Sequence, residues 1–130
     1  MMIPKTVCSG DAPSAIGPYS QAVRCGDLVF VSGQLGLDPD SMTMVSGGVE
    51  EETRQAMKNL RAILTAAGSS LRRTVKVQIY LADIADFARV NEVYSGFMEA
   101  PYPARCCMAV AGLPKQARVE IEAIGAVAGE

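Results

Sequence analysis

The sequence predicts an α+β domain in which two helices cover one face of a single sheet. Three observations predict it: helical periodicity from Val49 to Ala67, clean alternation in TVKVQIYLAD from Thr74, and an element order of strands, helix, strand, helix, strand, strand. Two helices can cover only one face. LVFVS (28–32) and RCCMAV (105–110) offer apolar residues to both faces, so the uncovered face is expected to be buried against other copies of the chain in an obligate homo-oligomer. With 130 residues the chain is expected to be one domain, 1–130.

The elements follow in order. Pro13, Gly17 and Pro18 punctuate the first segment, LVFVS reads as a short strand ended by Gly33, and GLDPDSMTMVSGG reads as a loop from about Gly36 to Gly48. In the helix that follows, Val49, Thr53, Ala56, Met57, Leu60, Ile63, Leu64 and Ala67 share one face. Glu50, Glu51 and Glu52 sit in its first turn, where the dipole favours negative charge, and are read as solvated; Gly68 is placed to cap its end. TVKVQIYLAD puts Val75, Val77, Ile79 and Leu81 on the core face and Lys76, Gln78 and Tyr80 on the other. Asp83 and Asp86 resemble a capping pair for a second helix, with Ile84, Phe87, Val90, Tyr94 and Phe97 on one face to about Met98 and Ala100-Pro101 closing it. Strands from Ala104 to Ala111 and from Arg118 to about Val127 complete the chain, separated by the turn signal GLPK.

Composition removes several function classes. A net charge of −2 and a single adjacent basic pair, Arg72-Arg73, count against a nucleic-acid footprint, which must neutralise many phosphates. No stretch approaches the roughly 20 apolar residues of a membrane span, and the opening MMIPKTVCSGDAP lacks the apolar run of a secretory signal. The expected location is the cytoplasm, with a mitochondrial association left open. Cys8, Cys25, Cys106 and Cys107 show no CxxC spacing and are read as reduced thiols, with no metal site expected. There is no histidine, which excludes Ser-His-Asp and Cys-His catalysis and histidine-ligated zinc in their usual forms.

Chemistry must then rest on Arg, Lys, Tyr, Cys, Asp, Glu or the backbone. Arg105 opens an otherwise apolar strand, and its guanidinium either snorkels to water or offers a planar fork to a carboxylate or phosphate. Glu120 alternates with Val119 and Ile121; with Glu122 it reads by default as a solvated strand residue, but partial burial would raise its pKa and let it handle protons near neutrality. Tyr19, in IGPYSQ, reads as a packed aromatic and Cys107 as a core cysteine.

The blocks AIGPYSQAV, VFVSGQLGLDP, VEEETRQAMKNL, VKVQIYLADIADFARVNEVY, YPARCCMAV and LPKQARVEIEAI run in order from about Ala12 to Ala126. They resemble the Rid family, also called YjgF or liver perchloric-acid-soluble protein, in its reactive-intermediate imine deaminase (RidA) branch. The resemblance implies a chorismate-mutase-like (YjgF-type) α+β fold, with one mixed sheet of about six strands and two helices on one face. It also implies a homotrimer with ligand pockets between subunits. The implied activity is cofactor-independent hydrolysis of 2-aminoacrylate/2-iminopropanoate and 2-iminobutanoate to 2-keto acids and ammonia. Arg105 matches the family's carboxylate-binding arginine and Glu120 the acidic residue that positions the attacking water. Tyr19, Ser32, Gly33, Phe87, Asn91 and Cys107 match pocket-lining positions, Cys107 as lining and not as a nucleophile. Gln116 departs from the family, which more often has glycine or a small or acidic residue there. The alternatives are the ribonuclease or translation-inhibitor activity reported for some relatives, and a module that binds small acids or acts as a chaperone without turnover.

Overall fold

The computed structural model describes residues 2–127. Six strands, β1 (Lys5–Val7), β2 (Ala22–Cys25), β3 (Leu28–Gln34), β4 (Thr74–Leu81), β5 (Ala104–Ala109) and β6 (Val119–Ala126), form one sheet in the order β1-β2-β3-β6-β4-β5. Helix α1 (Val49–Ala66) packs on β3 and β6, and α2 (Phe87–Phe97) packs beside α1. The sheet is mixed: β4 and β5 run parallel because α2 carries the chain across between them, and every other pair is antiparallel. This is the α+β arrangement that the periodicities predict.

The core lies between the helices and one sheet face. Ala56, Met57, Leu60, Ile63 and Leu64 of α1 meet Val29 and Val31 of β3, Val77, Ile79 and Leu81 of β4, and Val119 and Ile121 of β6. Each large apolar side chain so buried contributes about 1.5–3 kcal/mol. Buried and half-buried residues alternate strictly along β6, so a strand side faces the helices at every odd position and the open face at every even one. On that open face Leu28, Phe30 and Met108 are exposed in the single chain, Phe30 by 44%.

Several expectations need correction. Glu52 is not solvated: it is 3% exposed, accepts a hydrogen bond from the Arg118 backbone N–H at 2.8 Å and pairs with the Arg118 guanidinium at 3.2 Å, fastening α1 to the start of β6. A register shift between Thr74 and Lys76 buries Thr74 and turns Val75 out to solvent, against the alternation read from sequence. β3 does not stop at Gly33 but continues to Gln34 through a register shift after Val31. Residues Ile84–Asp86 form a single 3-10 turn before α2, which leaves Ile84 exposed. Asp83 caps that turn by accepting from the Ala85 N–H at 2.9 Å, whereas Asp86 makes no capping bond and pairs with Arg89. β1 and β2, of three and four residues, are too short to show a period in the sequence. Gly68 does end α1: at φ +83° it donates to Thr65 O, and the Ser69 N–H reaches back to Leu64 O at 2.8 Å.

Candidate active site

Two groups of the predicted residues gather in two places. The first is a cleft of about 740 Å³ on the open face, walled by the segment before β2, by β3, by the turn before β6, and by β6 itself. It holds Tyr19, Ser32, Gly33 and Glu120, together with Gln21, Lys115 and Glu122. Gln21 is buried and organises the N-terminal wall: its amide accepts from the Ser9 N–H at 2.6 Å and donates to Pro13 O at 2.8 Å. Ser32 ties that wall to β3 by donating from its hydroxyl to Ser20 O at 2.6 Å, while its N–H donates to Gln21 O. Tyr19 is folded back on its own turn, its N–H donating to Gly17 O at 2.9 Å and its hydroxyl accepting from the Ile16 N–H at 3.3 Å. It is therefore an exposed turn residue, not a packed strand aromatic.

Glu120 leans across the absent side chain of Gly33. A Cβ at position 33 would lie 2.8 Å from Glu120 Cδ and collide with Oε2, so only glycine leaves the Glu120 carboxyl where it stands. Burial, and next the like charge of Glu122, raise the Glu120 pKa above the usual carboxylate value. Glu122 is not a free surface group: it is half-buried and accepts from the Tyr80 hydroxyl at 2.6 Å.

The second group, Phe87, Asn91, Arg105 and Cys107, lies on the helix side at the β5 edge. Arg105 donates to Asn91 Oδ1 at 2.6 Å, and its guanidinium carbon stands 5.0 Å from the Tyr94 ring centre and 5.7 Å from that of Phe87. Phe87 and Tyr94 belong to the apolar face that helical periodicity predicts for α2, and Asn91 stands beside them on the same side; periodicity gives no sign that Tyr94 supports Arg105. Cys107 packs against the core, and burial raises its thiol pKa although Arg105 opposes the shift. That environment disfavours a thiolate nucleophile.

The two groups do not meet within one chain. In the sheet register Arg105 is level with the buried Val77 and Cys107 with Ile79, whereas Glu120 is level with Tyr80. Arg105 therefore leaves the helix face, and Glu120 the open face. The turn beside Glu120 also carries local strain: Lys115 and Gln116 both have φ of 56°, in the left-handed region. Among the described residues no cluster of three or more His, Cys, Asp or Glu is placed to hold a metal ion.

Comparison with known proteins adds four likenesses. The family model described as Endoribonuclease L-PSP matches residues 9–127. A human protein named 2-iminobutanoate/2-iminopropanoate deaminase is 49% identical over 123 residues, covering 95% of this chain and 90% of the relative. Among solved structures, RidA from an Antarctic Psychrobacter superposes with a TM-score of 0.91 at 45% identity, covering 95% of this chain and 99% of that one. Escherichia coli TdcF, solved with bound serine, superposes with a TM-score of 0.90 at 40% identity over 95% and 99% of the two chains.

Proposed function

The chain belongs to the endoribonuclease L-PSP family, and from that premise we propose that it is an imine deaminase, hydrolysing 2-iminopropanoate and 2-iminobutanoate to 2-keto acids and ammonia. The observation that carries the proposal is the state of Arg105. Among the described residues its guanidinium has no carboxylate partner and rests on two aromatic rings and a neutral amide, an always-charged fork with its counter-charge left to a ligand. A three- or four-carbon 2-imino acid supplies that carboxylate. The relatives support this substrate class, since a protein half identical to this chain bears the deaminase name and TdcF binds serine, an α-amino acid of three carbons.

Glu120 supplies the proton chemistry. As the water oxygen bonds to the iminium carbon, one water proton passes to the Glu120 carboxylate. That proton then moves to the nitrogen, the C–N bond breaks as the carbonyl forms, and the hydroxyl proton leaves through Glu120 to the departing ammonia. A carboxyl whose pKa is raised by burial and by Glu122 holds a proton more readily than an ordinary carboxylate and can both take and return one, a contribution of about 10²- to 10⁴-fold. The protonated imine is itself the electrophile, so this route asks nothing of a histidine. The pocket lining comprises Tyr19, Ser32 and Gly33 on the Glu120 side, and Phe87, Asn91 and Cys107 on the Arg105 side.

The opposed faces of Arg105 and Glu120 give the assembly its role: the complete site forms where the helix-side edge of one copy meets the cleft of the next, in a homotrimer whose subunits cover the exposed Leu28 and Phe30. The ribonuclease activity in the family's description finds little footing, because a chain with no histidine and net charge −2 lacks the usual groups for phosphate binding and strand cleavage. The test is an amino-acid oxidase releasing 2-iminopropanoate or 2-iminobutanoate while semicarbazide competes for it. The protein should suppress semicarbazone formation; an intact oligomer without effect would leave a binding module as the better reading.

A further inference from the structure

The open face carries a second carboxylate that this chemistry does not use. Glu122 stands two positions beyond Glu120 on β6, so both side chains leave the same side of the strand and line the same cleft. Two carboxylates so placed feel each other's charge, and the negative charge of Glu122 raises the cost of ionising Glu120.

The neighbouring strand decides the order. In the β4–β6 register Tyr80 lies opposite Glu120 and Gln78 opposite Glu122. The Tyr80 hydroxyl turns from its direct partner to the diagonal one, standing 2.6 Å from Glu122 Oε1 and 2.6 Å from Gln78 Oε1. A phenol has one proton to give, and a carboxylate is a stronger acceptor than an amide carbonyl. The Glu122 bond also pushes the Tyr80 pKa up to about 12, so the phenol stays protonated, and a donor, through the neutral range. Among the described residues Glu120 has no comparable donor: what acts on it is burial and the charge of Glu122.

We propose that Tyr80 assigns the charge within this pair, making Glu122 the member that carries the standing negative charge and leaving Glu120 to hold and exchange the last proton. Tyr80 and Glu122 are then positioning residues for the deaminase reading, on which this inference rests. Other groups facing the pair are Tyr19 from the segment before β2, Lys115 from the turn before β6, Lys76 from β4 and Cys106 from β5; β3 presents Ser32 and Gly33, neither of them charged. Lys115 favours charge on either carboxylate, so it does not choose between them. The Tyr80 bond does.

The test compares wild type with Tyr80→Phe, which removes one oxygen, and Glu122→Gln, which keeps the shape and removes the charge. Carbon-13 NMR of the Glu120 carboxyl in the full chain reads its titration directly, and the pH profile of kcat/KM for imine hydrolysis reads the consequence. Glu122→Gln removes the like charge. Tyr80→Phe removes the donor that holds the negative charge on Glu122 and so frees Glu120 to share that charge. Both should lower the Glu120 midpoint, by about 0.5–1 pH unit, with the acid limb of kcat/KM following it. A midpoint unchanged or raised in both folded variants overturns the assignment, and a purely structural role would lower activity at every pH without moving the midpoint. If wild type hydrolyses no imine, the deaminase reading falls while the NMR titration still decides the charge assignment.

Discussion

Arg105 and Glu120 stand on opposite faces of one sheet: Arg105 is level with Val77, whose side chain is buried beneath the helices, and Glu120 with Tyr80, whose side chain faces away from them. A residue on a strand cannot change face without a register slip, so no rotamer change brings the two groups together in one chain. A substrate that engages both, as the proposed function requires, does so across two chains. On that proposal dilution or surface mutation that separates the subunits, Phe30→Glu for instance, should abolish hydrolysis even where the monomer stays folded.

Arg105→Ala should lower kcat/KM for imine hydrolysis about 10- to 100-fold, the kinetic equivalent of losing about 1.5–3 kcal/mol of charge-assisted bonding. Asn91→Ala, which releases one bond to the guanidinium, should cost less. Steady-state kinetics on both variants checks the order.

Gly33→Ala places a Cβ where Glu120 now lies, so the carboxyl must move. The expected result is a loss of kcat of about 10²-fold with a smaller change in thermal stability, since the clash falls on the flexible end of one side chain. Kinetics and a melting curve on the same sample separate the two effects.

Glu120 gives activity and stability opposite signs. Its folded pKa is raised by burial and by Glu122, so the stability it contributes is fully present below its unfolded pKa and is lost as pH rises through the folded one. Glu120→Gln should therefore melt higher than wild type at pH 7, with the difference vanishing toward pH 4, while hydrolysis is lost. In wild type the acid limb of kcat/KM should lie above the ordinary carboxylate range. Melting curves across pH and a pH–rate profile measure both.

Gln116 sits at φ 56°, where a side chain is strained and glycine is not. Gln116→Gly should stabilise the protein by about 0.5–1 kcal/mol in chemical denaturation, the left-handed strain being partly offset by the greater freedom of glycine in the unfolded chain. This gives the departure at Gln116, visible in the sequence, a physical meaning that only the backbone angles supply.

Much of the architecture was legible because it follows from period. The spacing of Val49 through Ala67 fixes the buried side of α1, and the alternation after Thr74 fixes β4. Failures came where tertiary pairing overrides local pattern. Glu52 looks like its neighbours until Arg118, 66 residues away, buries it, and Val75 fits the alternation until a register shift turns it out. For the site, the blocks around Tyr19, Gly33, Arg105 and Glu120 were readable through their resemblance to a family, whereas the role of Tyr94 was not, because an aromatic at helical spacing looks like core. The Tyr80–Glu122 bond was equally hidden, since it joins residues 42 apart in sequence.

The central claim, a site completed by Arg105 from one copy and Glu120 from another, is tested most directly by mixing two inactive variants. Arg105→Ala and Glu120→Ala chains, each assembled alone, should hydrolyse no imine beyond the residual rate of their missing group. Denatured together and reassembled, they should regain activity in roughly one site in four, the fraction of random pairings in a closed ring that draw both groups from intact positions. Mixed assemblies, verified by native mass spectrometry, that stayed as inactive as their parents would contradict it.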